Sequence, residues 1–138
     1  QRENKYALKD AMADLPEVQF RYIPDPHGDS ASFLSFFLPT EERTREVAKN
    51  LADNGAGAAF WYDNNWHYYK KWRHLKEIKG AAKLPFELCD SLPDYKNLVL
   101  EESDEIMKRT LSMQIMLSWT KADIENRINA IMKSFKGS

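Results

Sequence analysis

The stretch SFLSFFLPTEERTREVAKNLADNGAGAAFWY, residues 32–62, constrains the fold more than any other part of the chain. Residues 32–38 are nearly all bulky and apolar, the pattern of a strand covered on both faces, and Pro39 stops it. Thr40 offers a helix N-cap, and Glu41 and Glu42 place negative charge at the positive end of that helix. Val47, Ala48 and Leu51 form one apolar stripe, and Asn54–Gly55 ends it. Residues 56–62, AGAAFWY, then read as a strand whose small residues allow another backbone to come close.

The flanks extend this unit. Leu8, Ala11, Met12 and Leu15 make an apolar stripe at helical spacing. VQFRYI, 18–23, reads as an edge strand because prolines bound it, and DPHGDS, 25–30, as a turn. Lys70 to Lys79 reads as a solvated helix face, and the stretch broken by Pro85 and Pro93 has no clear assignment. A short helix is expected from Ser103 and Asp104 to Arg109. LSMQIML, 111–117, alternates as a strand with Leu111, Met113, Ile115 and Leu117 on one side. Thr120 and Asp123 have capping-box spacing before a helix whose apolar face is Ile124, Ile128, Ile131 and Phe135. This order predicts an α+β fold, a mainly antiparallel sheet with helices packed on one face.

A length of 138 residues suits one domain. Twenty basic against twenty-one acidic residues leave a formal charge of −1, which supplies no global field for nucleic acid. Cys89 is the sole cysteine, so an internal disulfide is excluded and a cytoplasmic setting is expected. No apolar run reaches the roughly 20 residues of a membrane span, and no secretory signal is visible. The chain opens without methionine and already in helical rhythm. That suggests a helix continuing from a longer polypeptide, with a processed or tagged terminus as the alternative.

Several chemistries lack their residues. The glycines at 28, 55, 57, 80 and 137 are scattered, so no phosphate loop forms, and neither GxSxG nor HExxH occurs. His27, His67 and His74 have no i, i+4 pair among them, so no metal site is expected. Cys89 has no recognisable activating base in the sequence.

WYDNNWHYYKKWRH, 61–74, gathers three tryptophans and three tyrosines around Asp63, Asn64, Asn65 and His67. Trp61 and Trp72 suit a core, but adjacent asparagines are costly inside one. Lys70, Lys71, Arg73 and His74 beside stacking rings would suit nucleic acid, were there a basic excess elsewhere. Aromatic faces with directed amides also suit a small polar ligand such as a sugar. The residues by themselves leave core and sugar site both open.

From Arg2 to Phe135 the chain resembles the C-terminal small domain of the DegT/DnrJ/StrS family, pyridoxal-phosphate-dependent sugar aminotransferases of fold type I. The likeness is carried by Leu15, Pro16 and Val18, by the strand–helix–strand unit, and by SDEIMKRTLSMQIMLSWTKADIENRINAI near the end. It implies that residues 1–16 end a helix connecting to an N-terminal large domain, and that 17–138 are the small domain. It implies transfer of an amino group from an amino acid such as glutamate to a keto- or aldehydo-sugar such as 8-oxo-Kdo, within lipopolysaccharide biosynthesis. Pyridoxal phosphate and the lysine that holds it would belong to the large domain, and the whole enzyme would be a homodimer. Tyr62, Asn64, Asn65, Trp66 and His67 are the expected substrate contacts, with Arg109 a further candidate for an acidic group; no residue here is expected to be catalytic. Arg109 also suits a second role, a cation near a helix C-terminus. Trp61 stands where the family commonly has histidine, and Asp63–Asn64–Asn65 replaces its proline-rich step, so the lip of the site is expected to be specialised. A non-catalytic ligand-binding or interaction module with the same fold is the alternative.

Overall fold

The computed structural model describes residues 1–81 and 88–136. The chain is α+β, with a four-stranded antiparallel sheet carrying its long helices on one face. Helix α1 (Arg2–Ala11) leads to β1 (Gln19–Phe20) and β2 (Phe33–Phe37). Helix α2 (Glu41–Asp53) returns the chain to β3 (Ala59–Phe60). Two 3-10 turns (Trp61–Asp63 and Tyr69–Lys71), the short helix α3 (Arg73–Lys76) and α4 (Glu101–Met107) precede β4 (Thr110–Gln114), and α5 (Lys121–Phe135) closes the fold.

The sheet order is β1-β2-β4-β3. Strand β4 therefore slots between the two strands joined by α2, a split strand–helix–strand arrangement, and pairs antiparallel with both. Residues alternate faces along a strand. Leu34, Phe36 and Leu38 of the β2 segment and Leu111, Met113 and Ile115 of the β4 segment point to the helices and are buried. They meet Leu8 and Met12 from α1, Val47 and Leu51 from α2, and Ile131 and Phe135 from α5 in a single core.

The helix ends form where local chemistry places them. The Thr40 hydroxyl accepts the Arg43 backbone N–H at 3.2 Å, and Thr120 with Asp123 completes the reciprocal capping box. Gly55 takes a left-handed φ of 80° after α2, a conformation that costs glycine little.

Strand extents depart from the periodicity. The expected strand 18–23 pairs over two residues only, although it does lie at an edge of the sheet. Residues 56–62 pair only at Ala59 and Phe60, because the chain coils into a 3-10 turn at Trp61. Leu117 does not continue the buried side of β4. The strand ends at Gln114, Leu117 is 76% exposed, and the Asn4 side chain of α1 donates to the Met116 carbonyl. Helix α4 begins two residues before Ser103, leaving Asp104 inside it, free to face the aromatic segment. The expected helix face from 70 to 79 is a 3-10 turn followed by the four residues of α3. Within the unassigned stretch around Pro85 and Pro93, residues 82–87 lie outside the described residues. No helix among the described residues is long and apolar enough to cross a membrane.

Strand β2 is not covered on both faces either. Its outward residues are Phe33, Ser35 and Phe37, of which Phe33 is 46% exposed. The face opposite the helices stays partly open, and the candidate site lies there.

Candidate functional site

The cleft is built from cross-strand register. Ser35 pairs with Ser112, and Ser112 pairs with Ala59. Arg21, just beyond β1, donates its backbone N–H to the Ser35 carbonyl at 3.1 Å. Arg21, Ser35, Ser112 and Ala59 thus form a row across the open face in which three of the four side chains are small. A trough results, with Phe33 and Trp61 as its aromatic walls and the Asp29–Ser32 loop, Asn64 and His67 on its rim. Its volume is about 550 Å³, within the range of small-molecule sites.

The floor is polar and ordered. The Trp61 indole N–H donates to the Ser112 hydroxyl at 2.7 Å, and Ser112 and Ser35 share a hydrogen bond of the same length. Ser30 and Ser32 form a second hydroxyl pair at 2.8 Å on the rim. Hydroxyls can both give and accept, so this lining matches a ligand rich in hydroxyl groups.

Charge in the cleft is uneven. Asp29 is neutralised from behind by Lys5 of α1, whose ammonium is almost wholly buried. The hydrogen bond from Lys5 holds the Asp29 carboxyl below its ordinary range, against the opposing effect of burial, with the Ala31 backbone assisting. Arg21 makes no ion pair within contact distance among the described residues, although its charge is felt by Asp29, and it is the cation of the cleft lining suited to an anionic group. Arg2 also ties the loop to α1, donating to the carbonyls of His27 and Asp29 at 2.9 Å each.

The aromatic segment is anchored behind the cleft. Tyr68, 1% exposed, donates to Asp104 of α4 at 2.6 Å. Tyr69 reaches the other carboxylate oxygen at 3.2 Å, and Lys70 also binds there. Burial first, and then the Asp104 carboxylate, push the Tyr68 phenol far above its usual range. Burial raises the Asp104 pKa, but the bonds from Lys70, Tyr68 and Tyr69 outweigh it and leave the carboxyl lowered. On the helical side, Arg45 of α2 binds Asp63 at 2.7 Å and lies over the Phe60 ring at 4.8 Å. Asp104→Ala strips the partner from a buried phenol, and a loss of about 1–3 kcal/mol is expected. Amide hydrogen exchange should show protection lost over residues 61–72 before the core strands.

The residues singled out in the sequence part company here. Asn64 and His67 line the cleft. Tyr62 lies behind it, packed on Tyr68 with ring centroids 5.0 Å apart and on Phe60 at 6.2 Å. Asn65 is exposed outside the cleft, and Trp66 is 83% exposed, its carbonyl accepting the Trp72 indole N–H at 3.0 Å. Arg109 is away from the cleft and donates to the Glu105 carbonyl at 3.1 Å, the helix-end role open to it. Trp61 and Trp72 are half-buried; the fully buried ring of the segment is Tyr68. Sequence reasoning missed Arg21, Asp29, Ser35 and Ser112. The available signal was a serine at an outward position in each of two strands, Ser35 in FLSFF and Ser112 in TLSMQ.

Among the described residues, no group of three or more histidines, cysteines, aspartates or glutamates could hold a metal ion. Lysine is absent from the cleft lining, and Lys5 is engaged with Asp29 behind it. The cleft therefore does not fit pyridoxal phosphate as a covalently held group. Geometry and chemistry together define an α+β domain with a hydroxyl-lined cleft, Arg21 its cation, on its open sheet face. No family model matches the chain.

Proposed function

We propose that this chain is the small C-terminal domain of a pyridoxal-phosphate-dependent sugar aminotransferase resembling the DegT/DnrJ/StrS family, and that the cleft is its sugar-side surface. The observation that carries the reading is the trough itself: an indole wall, two hydroxyl pairs, an amide, an imidazole and a guanidinium converge on one space. Aromatic faces pack on the apolar side of a sugar while directed polar groups take its hydroxyls. The split strand–helix–strand sheet supports the same reading, as does its resemblance in sequence. Within the family the likeness is to transaminases that install the amino group of 8-amino-Kdo. On this proposal the amino donor is glutamate or a similar amino acid. The cofactor and its lysine lie on a large domain preceding residue 1, and the enzyme works as a cytoplasmic homodimer. In the cleft Asn64 and His67 contact the sugar, while Tyr62, Asn65, Trp66 and Arg109 act from outside it, on closure or on the partner domain.

The experiment is spectroscopic. The full-length product of the gene should purify yellow, and borohydride should fix the pyridoxyl group to a lysine outside residues 1–138. A colourless full-length protein with no lysine adduct sinks transamination. That result would leave the alternative, a non-catalytic module binding a hydroxylated ligand in the same cleft.

A further inference from the structure

We propose that Asn64 fixes the proton of His67 on Nδ1, so that His67 presents Nε2 to the cleft as a neutral acceptor for a ligand hydroxyl. This rests on the cleft being the sugar-side site and is independent of the transamination chemistry. The Asn64 Oδ1 accepts two backbone hydrogen bonds, from the N–H groups of Trp66 and His67, each at 2.9 Å. Those donors decide which end of the amide faces the turn, since an NH2 there would oppose hydrogen to hydrogen. The same oxygen lies 3.1 Å from His67 Nδ1.

An amide oxygen cannot donate. A neutral imidazole held against it therefore carries its hydrogen on Nδ1 and leaves the Nε2 lone pair unused. Trp61 meets the ring edge-on, at 5.1 Å between centroids and 73° between planes. Both rings line the cleft, and no described residue hydrogen-bonds Nε2.

The remaining polar lining gives this acceptor its purpose. Arg21 only donates, the serine hydroxyls are mutually paired, and Asp29 is occupied by Lys5. The paired serine hydroxyls keep lone pairs of their own, and His67 Nε2 adds a ring-nitrogen acceptor that no described residue hydrogen-bonds. The geometry points to a polyhydroxylated carboxylate, its anionic end at Arg21 and a hydroxyl hydrogen given to His67. Arg21 and Asp29 are the charged groups that share the cleft with His67, and they lie on the segment following β1.

Gluconate serves as the probe, with the 138-residue chain labelled with nitrogen-15. Two-bond proton–nitrogen correlation in alkaline buffer should show His67 with a protonated Nδ1 and an unprotonated Nε2. Asn64→Ala should move the ring toward a tautomer mixture. Gluconate should shift the His67 Nε2 and Trp61 indole signals, and His67→Phe should weaken its binding about two- to tenfold, as for one neutral hydrogen bond. A protonated Nε2 in the unmutated chain overturns the proposal even if Asn64→Ala fails to fold. Gluconate leaving His67 unshifted, or binding His67→Phe equally well, overturns the ligand assignment. Neither result bears on whether the full-length protein carries pyridoxal phosphate, so the two readings fail separately.

Discussion

Asp29→Ala is expected to destabilise the protein by about 3–5 kcal/mol, the cost of stranding a buried charge after its partner is removed. Lys5 is 3% exposed, and Asp29 is its ion-pair partner. The Lys5 side chain lines a small hollow with Phe20, Leu34 and Ser35, and its ammonium binds the Asp29 carboxylate. Lys5→Met should behave differently. It removes the charge along with the need for a partner and fills the same space, so stability should stay within roughly 1–2 kcal/mol of the unmutated protein. Urea unfolding of the two variants and of the double variant measures this directly. Similar losses for Asp29→Ala alone and for the double variant would show that the buried ammonium is not the source of the cost.

The pH dependence follows from the same pair. The folded Asp29 carboxyl titrates below its unfolded value of about 3.9. Its contribution is therefore fully present above that value and is lost as pH falls through the lower, folded one. Glu17 acts in the same direction, lowered chiefly by its hydrogen bond from Arg43, against the effect of burial. The unmutated protein should lose stability more steeply below about pH 4 than Asp29→Asn does. Equal acid slopes would remove Asp29 from the account. The loop that carries Asp29 also rims the cleft, so the variant should perturb ligand contacts at Ser30 and Ser32 as well.

Phe36→Ala is the second large effect, an expected loss of about 3–5 kcal/mol from the emptied volume and the forfeited contacts. Phe36 is fully buried within β2, paired with Leu111 across the sheet and against the Phe135 ring of α5 at 6.3 Å. Against a typical domain stability of about 5–15 kcal/mol, such a loss leaves little margin. Phe33→Ala is the control, being the same chemistry on the same strand but facing the cleft and half exposed. Its cost should stay below about 1 kcal/mol, as for most surface changes. Thermal or urea unfolding that ranks the two equally would place the core on the wrong face of the sheet.

How much could be read beforehand depended on distance along the chain. Thr40 with Arg43, and Thr120 with Asp123, interact across three residues, and both caps formed where the sequence places them. The apolar stripes of α1, α2 and α5 and the alternation at Leu111, Met113 and Ile115 also face the core. Strand lengths were less legible. Val18 to Ile23 has strand chemistry, but only Gln19 and Phe20 find partners, because pairing depends on where β2 runs. Asn64 and His67 could be named from the aromatic segment, whereas Arg21, Ser35 and Ser112 could not, since nothing near them in sequence marks the row they form. Tyr68 looked like its neighbours until Asp104, 36 positions away, took its hydroxyl.

The amino-acid order alone settled the class of fold, the helix boundaries set by caps, and which side of each long element is apolar, because those rest on contacts within a few residues and on periodicity. Tertiary structure alone decided that β4 enters between β2 and β3. That insertion sets Ser112 against both Ser35 and Ala59 and leaves a trough where larger residues would have filled the face. The physical reason is register. A cross-strand neighbour is chosen by hydrogen bonding between segments 77 residues apart, and a slip of one residue in β4 would have turned Ser112 toward the core and broken the row.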